Sequence, residues 1–91
     1  MDGRDRFFAL LEQMPRCAEL WDQEANSLNI AAFEQALGVM SHGEVQMAKF
    51  FAAIWFNHNE RYGFDVVDAV SRIDAEDRKL MAEWIANPFW P

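Results

Sequence analysis

The sequence predicts an all-α protein that folds as a single helical domain, residues 1–91, in a compact bundle of about five helices. Apolar residues recur every three or four positions along most of the chain, which is the spacing of helices buried on one side. The uninterrupted apolar run from Phe50 to Phe56 predicts one helix that other helices surround. With 91 residues, 52% hydrophobic and 14% aromatic, the chain can bury one core.

The first helix is predicted to begin at Asp5, whose carboxylate can cap the free amides of a helix N-terminus. Its buried face is expected to consist of the residues at helical spacing, Phe7, Leu10, Leu11 and Met14. Pro15 then either ends this helix or occupies the first turn of the next one.

The second and third helices are predicted on either side of a polar turn at Asn26 and Ser27. We expect the second helix over residues 16–24, with Cys17, Leu20 and Trp21 on its buried face. The third helix is expected over residues 30–40, where apolar spacing resumes and Asn29 can act as the N-cap.

The central helix is predicted over residues 41–57. Ser41 and Glu44 have the spacing of a capping box, in which each side chain accepts a hydrogen bond from the backbone amide of the other residue. The apolar run of this helix is much shorter than the roughly 18 residues that would span a bilayer, and Gln46 and Lys49 interrupt its start. The segment therefore predicts the core helix of a soluble domain.

Two further helices are predicted after Gly63, which can adopt a positive φ angle in the connecting loop. Asp65 is expected to cap a short helix, and Asp74 a longer one that ends at Asn87-Pro88. Val66, Ala69, Val70 and Ile73 recur at helical spacing in the short helix, and Leu80, Met81, Trp84 and Ile85 are the expected buried stripe of the longer one.

The short helix, capped turn and longer helix occur twice, which predicts two helix–loop–helix units resembling EF-hands in shape. Asp22, Glu24 and Asn26 alternate like calcium ligands, but Ser27 replaces the required glycine and a twelve-residue loop would end at Phe33. The pattern therefore predicts the shape without calcium, and a degenerate EF-hand-like sensor is one alternative function.

The charge balance argues against nucleic acid or a membrane as a direct partner. The chain carries a formal net charge of −7, and the segment from Cys17 to Ala48 contains acids but no lysine or arginine. Such a surface repels phosphate backbones and anionic lipids. A single cysteine and an N-terminus without a signal-peptide pattern favour the cytoplasm.

No residue pattern predicts a catalytic or metal site. Cys17, His42 and His58 are too isolated for a recognisable metal-binding spacing, and the serines lie in no nucleophile motif. The four glycines form no phosphate-binding loop. We therefore expect no cofactor and no enzymatic activity.

Aromatic content favours protein binding instead, because aromatic side chains anchor many protein interfaces. The candidate interaction residues are Phe56, which falls near the polar face of the central helix, and Phe89 and Trp90 in the C-terminal tail. They could serve a homodimer or an unknown protein partner, in an adaptor or a regulator. In a second interpretation the tail folds back and closes the core. In a third, the acidic chain is a DNA-mimicking inhibitor of a nucleic-acid-binding protein.

The half of the chain from Leu28 to Pro91 resembles a small uncharacterised bacterial family of the kind carried by plasmids or other mobile elements. The similarity lies in Ser41-His42-Gly43-Glu44, Phe50-Phe51, Phe64-Asp65 and the ending Trp84-Ile85-Ala86-Asn87-Pro88-Phe89-Trp90-Pro91. This resemblance implies a bacterial cytoplasmic accessory protein, and it implies no activity, ligand or catalytic residue.

Overall fold

The computed structural model describes residues 2–91, which form a mostly helical globule with one small antiparallel hairpin. Its elements in chain order are α1 (Gly3–Leu11), α2 (Pro15–Ala18), β1 (Trp21–Asp22), β2 (Ser27–Leu28), α3 (Ile30–Leu37), α4 (His42–Phe56), α5 (Val66–Val70) and α6 (Ala75–Ala86). The predicted helical class is confirmed, whereas the hairpin was not predicted. No helix among these residues has the length and apolar character needed to cross a bilayer.

The first helix begins earlier than the sequence predicted. Asp2, rather than Asp5, is the N-cap of α1, and its Oδ1 accepts a hydrogen bond of 2.8 Å from the backbone N–H of Asp5. Both residues can cap, but Asp2 lies before the first apolar turn and so adds one more turn to the helix. Pro15 occupies the first residue of α2, as one of the two alternatives predicted.

The predicted second helix over residues 16–24 is wrong, because α2 ends at Ala18 and the chain turns into the hairpin. Asp22 Oδ1 accepts a hydrogen bond of 3.0 Å from the N–H of Ala25, and Asn26 adopts a positive φ of 52°. Aspartate and asparagine favour such turns because their side chains bond to nearby backbone and tolerate left-handed φ. The hydrogen bonds of the turn thus outweigh helical spacing here. Trp21 is buried as predicted, but it belongs to the strand β1 instead of a helix.

Side chains cap the helices α3 and α4 as predicted. Asn29 accepts a hydrogen bond from the N–H of Ala32 at 3.0 Å. The capping box of α4 is complete, since Ser41 N–H donates to Glu44 Oε1 at 3.0 Å and Glu44 N–H donates to Ser41 Oγ at 3.3 Å. Asn57 ends α4 in the left-handed conformation, with a φ of 58°.

The short helix α5 is capped by Asp65 as predicted, but its apolar face is only partly covered. Ala69 is buried, whereas Val66 is 46% exposed and Val70 is 39% exposed. This helix spans only Val66–Val70, so it cannot bring successive turns of one face against the core. The helical spacing of the valines therefore marks a face of α5 that the rest of the chain does not fully cover.

The last helix, α6, begins after its predicted cap Asp74, whose Oδ1 accepts from the N–H of Asp77 at 2.9 Å. Leu80 and Met81 are buried and Trp84 is half-buried, but Ile85 is 55% exposed, so that its predicted burial is wrong. The buried stripe of α6 is therefore narrower than predicted.

Helix α4 lies at the centre of the core, as its apolar run predicted. Its buried residues are Met47, Ala48, Phe50, Phe51, Ala52 and Ile54. The ring of Phe7 in α1 makes edge-to-face contacts with Phe51 of α4 and with Trp21 of β1, at centroid distances of 6.2 and 5.7 Å. Such contacts stabilise beyond their buried area, so the aromatic rings join α1 and β1 to α4.

Candidate interaction surface

The three predicted interaction residues occupy two neighbouring parts of the surface rather than one continuous patch. Trp90 is 50% exposed, while Phe56 and Phe89 are half-buried. The aromatic contacts of Phe89 and Trp90 are with Trp84 in α6, and those of Phe56 are with His58 and Tyr62. Phe89 and Trp90 therefore both pack on Trp84, but Phe89 lines a cleft against α1 rather than the surface beside Trp90, and Phe56 lies apart from both.

The C-terminal tail is folded back against α1. The guanidinium of Arg6 donates to the carbonyl oxygen of Asn87 at 3.2 Å and lies 4.4 Å from the centroid of the Phe89 ring. The Trp84 indole N–H donates to the Phe89 carbonyl oxygen at 2.9 Å. Gly3 lies directly against the Trp90 carbonyl, so closely that a Cβ would not fit there. The tail backbone is thus fixed, as one of the predicted interpretations required.

Trp90 nevertheless leaves half of its side chain at the surface, beside an apolar groove. The groove encloses about 260 Å³ and is lined by Phe50, Ala53, Ile54, Asn57, His58, Phe64, Trp84 and Trp90. We call it the Trp90 groove. Its walls are rigidly packed, since Phe50 contacts Phe64 at 5.8 Å and Trp84 at 5.7 Å between ring centroids.

The second part of the surface borders the Trp90 groove and consists of Lys49, Phe56, Arg61 and Tyr62, which we call the Phe56 flank. Ala53, His58 and Phe64 line both the groove and the flank, and they connect the two. The Arg61 guanidinium lies 4.8 Å from the Phe56 centroid. The groove and the flank are therefore adjacent, with aromatic rings in both and the two cations in the flank alone.

The charge of this surface is opposite in sign to that of the whole protein. Lys49 and Arg61 belong to it, and no aspartate or glutamate lines either the groove or the flank. Glu34 reaches the edge of the flank, where its Oε2 accepts a hydrogen bond of 3.1 Å from the Tyr62 hydroxyl. In a chain with a formal net charge of −7, this is a local concentration of positive charge.

Sequence reasoning missed the groove walls Phe50, Phe64 and Trp84. Phe50 and Trp84 were expected to be core residues of their helices, and Phe64 was not assigned to a surface. No local signal marks them, because they come from three separate segments that only tertiary packing brings together.

The titratable residues considered from the sequence lie apart from this surface, except His58. Cys17 is fully buried in α2, and burial raises the pKa of its thiol from 9.0 to about 12. His42 lies at the start of α4, where its Nδ1 is 3.1 Å from a terminal nitrogen of Arg72. Within residues 2–91, no three histidine, cysteine, aspartate or glutamate side chains converge as metal ligands would.

A larger cavity of about 430 Å³ lies between the start of α4 and α5, and its polar lining includes His42, Asp68 and Arg72. The charged groups in it have opposite signs, and Arg72 is already bonded to His42. This cavity therefore offers neither the aromatic area of the Trp90 groove nor the single sign of charge of the Phe56 flank.

Comparison of the chain with models of protein families, with characterised proteins and with solved structures found no match in any of the three. The resemblance to a bacterial family remains a prediction, and the assignment of a function depends on the geometry above.

Proposed function

We propose that this protein is a small acidic protein–protein interaction module, an adaptor or a regulator, that docks through the Trp90 groove. One observation carries the proposal: Trp90 is 50% exposed beside an apolar groove although the backbone around it is fixed. A half-exposed tryptophan next to a groove is the geometry of an interface anchor.

The fixed backbone favours binding because less conformational freedom is lost when a partner docks. The tail is held by the Arg6–Asn87 and Trp84–Phe89 hydrogen bonds before any partner arrives. Ordering a mobile segment would otherwise reduce the affinity, since each immobilised side chain costs about 0.5–1.5 kcal/mol. Trp90 therefore contributes its contact area at a low entropic cost.

The size of the groove favours one side chain of a protein over a separate small molecule. Pockets for small-molecule ligands usually enclose about 300–1,000 Å³. The Trp90 groove encloses about 260 Å³ and its residues belong to an open surface. A single aromatic or long aliphatic side chain from a partner fits this volume and would pack against Trp84 and Trp90.

A random peptide library displayed on phage tests the proposal. We expect selection on the wild-type protein to enrich peptides that share an apolar anchor. Their affinity should fall at least tenfold for Trp90→Ala, since tryptophans at interface centres contribute about 2 kcal/mol or more. Val67→Ala is the matched control, because Val67 is 74% exposed on α5 and lies outside the groove. Peptides that bind Trp90→Ala as well as wild type, or a selection that enriches nothing, would refute the proposal.

A second copy of the chain is the other partner that the sequence suggested. Light scattering distinguishes a homodimer from a monomer, since the homodimer has twice the 10.6 kDa mass of the chain. If the groove forms that dimer, the double variant Phe56→Ala and Trp90→Ala should be monomeric, and the wild-type dimer should compete with the selected peptides. A dimer that the double variant retains would show that a different surface joins the copies.

A further inference from the structure

The two cations of the Phe56 flank make no ion pair with the protein's own acids. Among residues 2–91 the one salt bridge joins Arg16 to Glu44, near the opposite end of α4. Lys49 and Arg61 instead lie on a surface that has no carboxylate in its lining and has Glu34 at its edge, where Glu34 accepts from the Tyr62 hydroxyl. The chain as a whole has nearly twice as many acidic as basic residues, 15 against 8.

The Arg61 guanidinium is held in place by rings rather than by carboxylates. It lies 4.8 Å from the Phe56 centroid and 5.6 Å from the Tyr62 centroid, and its Nε donates to the Tyr62 hydroxyl at 3.3 Å. The two terminal nitrogens have no acceptor within the described residues. A planar guanidinium in this state has the donor geometry that binds a carboxylate through two parallel hydrogen bonds.

We infer that the partner of this surface is an acidic peptide segment that carries one aromatic or long aliphatic side chain. The apolar side chain occupies the Trp90 groove, and carboxylates beside it pair with Arg61 and Lys49. This inference rests on the proposed function and adds the chemistry of the partner to it. The surface and such a partner have complementary charge, because Lys49 and Arg61 are positive whereas the chain as a whole has a net charge of −7. The same contrast of charge would orient the acidic segment toward this surface.

A single-stranded nucleic acid also combines negative charge with flat rings that stack on tryptophan. The observations favour the peptide, because nucleic-acid-binding surfaces place many cations along the phosphate backbone whereas this one holds Lys49 and Arg61 in a chain of net charge −7. The nucleic acid is therefore a competing outcome of the test.

The test uses fluorescein-labelled peptides and fluorescence anisotropy with the full chain. The first probe has one phenylalanine flanked on both sides by glutamates. Matched probes replace the glutamates by glutamines, replace them by lysines, or replace the phenylalanine by alanine. We expect the glutamate probe to bind on the order of tenfold tighter than the glutamine probe and to lose this advantage at high salt. The lysine and alanine probes should bind most weakly.

Two charge-matched double variants show whether the local cations are responsible. Lys49→Gln with Arg61→Gln removes both cations of the flank, and Arg16→Gln with Lys79→Gln removes two cations outside the groove and flank. Each pair changes the formal net charge from −7 to −9. We expect the first pair to abolish the preference for glutamate over glutamine and the second pair to retain it. Equal losses in both would overturn the inference, since global repulsion would then explain the result.

The outcomes separate this inference from the proposed function. Library peptides that depend on Trp90 but have neutral or basic flanks would overturn the inference and leave the interaction module in place. An unstructured oligothymidine that binds more tightly than the glutamate probe, with loss on Lys49→Gln and Arg61→Gln, would replace the peptide by a nucleic acid. Glutamate probes that bind no tighter than glutamine probes would also overturn the inference.

Discussion

Substituting Gly3 by alanine tests whether the C-terminal tail packs on α1 as the structure shows. The new methyl group would overlap the carbonyl oxygen and the carbonyl carbon of Trp90, which are both backbone atoms. Neither can move away by a change of rotamer. We therefore expect Gly3→Ala to displace the tail from the first turn of α1.

The cost follows from the contacts that the displaced tail would lose. These are the Arg6–Asn87 and Trp84–Phe89 hydrogen bonds, worth about 1 kcal/mol each, and the packing of Arg6 on the Phe89 ring, worth about 0.5–1 kcal/mol. Edge-to-face contacts of Trp84 add about 0.5–1.5 kcal/mol. Alanine returns at most about 1 kcal/mol by restricting the unfolded chain, so the expected net loss is about 2–4 kcal/mol.

Urea unfolding followed by circular dichroism measures this loss, and two other glycines supply controls. Gly38 has an ordinary φ of −79° and a Cβ there would lie 3.5 Å from Gln35 O, so Gly38→Ala should stabilise by about 0.4–1 kcal/mol. Gly63 has a φ of +67° in open space, so Gly63→Ala should destabilise by about 1–2 kcal/mol through backbone strain alone.

Hydrogen exchange of the Trp84 indole separates a moved tail from general destabilisation. In Gly3→Ala this N–H loses the Phe89 carbonyl and should exchange much faster, whereas in Gly63→Ala it should remain protected. Unfolding free energy and indole protection equal to wild type in Gly3→Ala would show that the tail does not pack against α1.

Four further substitutions or titrations follow from the caps and the core. Ser41→Ala should lower the unfolding free energy by about 1 kcal/mol in urea, because it leaves an α4 amide without its side-chain acceptor. The Ser41 hydrogen bonds lower the pKa of Glu44 below its ordinary 4.5. The ionised carboxylate therefore stabilises the folded protein above pH 4.5, and this stabilisation is lost as the pH falls through the lower pKa of the folded state. In Glu44→Gln this pH dependence of the unfolding free energy should be absent. Burial raises the pKa of Cys17 to about 12, so the native thiol should react slowly with an aromatic disulfide reagent at pH 8 and quickly in urea. The unfolding free energy should also fall as the pH rises from 9 toward 12, because the thiol then ionises in the unfolded chain but not in the folded one. A fast native reaction would contradict that burial. Phe51→Ala should cost about 3–5 kcal/mol by calorimetry, and a loss below 1 kcal/mol would contradict the central position of α4.

The helix starts were predictable because their causes are local. Asn29, Ser41, Asp65 and Asp74 each accept from an amide two or three residues ahead, so the sequence around each cap contains the whole interaction. Asp2 was missed because Asp5 satisfies the same local rule.

The hairpin was not predictable by spacing. Each strand has two residues, which is too short to show the alternation of a strand. Leu20 and Trp21 are also buried in either conformation, so their apolar character does not decide between helix and strand. The decision belongs to Asp22 and Asn26, which close the turn.

The candidate surface was predictable only in part. Phe56 and Trp90 could be proposed because one lies on a polar helix face and the other lies beyond the last helix. Phe50, Phe64 and Trp84 come from three separate segments, and only tertiary packing places them around one groove. The exposure of the α5 valines could not be predicted for the same reason, because helical spacing identifies one face of a helix without indicating what covers that face.

The contact of Gly3 with Trp90 also affects when the protein can complete its fold during synthesis. Most packing joins neighbours along the chain, and such contacts can form as the segments leave the ribosome. The first turn of α1, however, meets its last contacts only after residue 90 has emerged from the exit tunnel. Until then the Trp84 indole lacks its Phe89 acceptor, so the tail and the first turn of α1 are completed together.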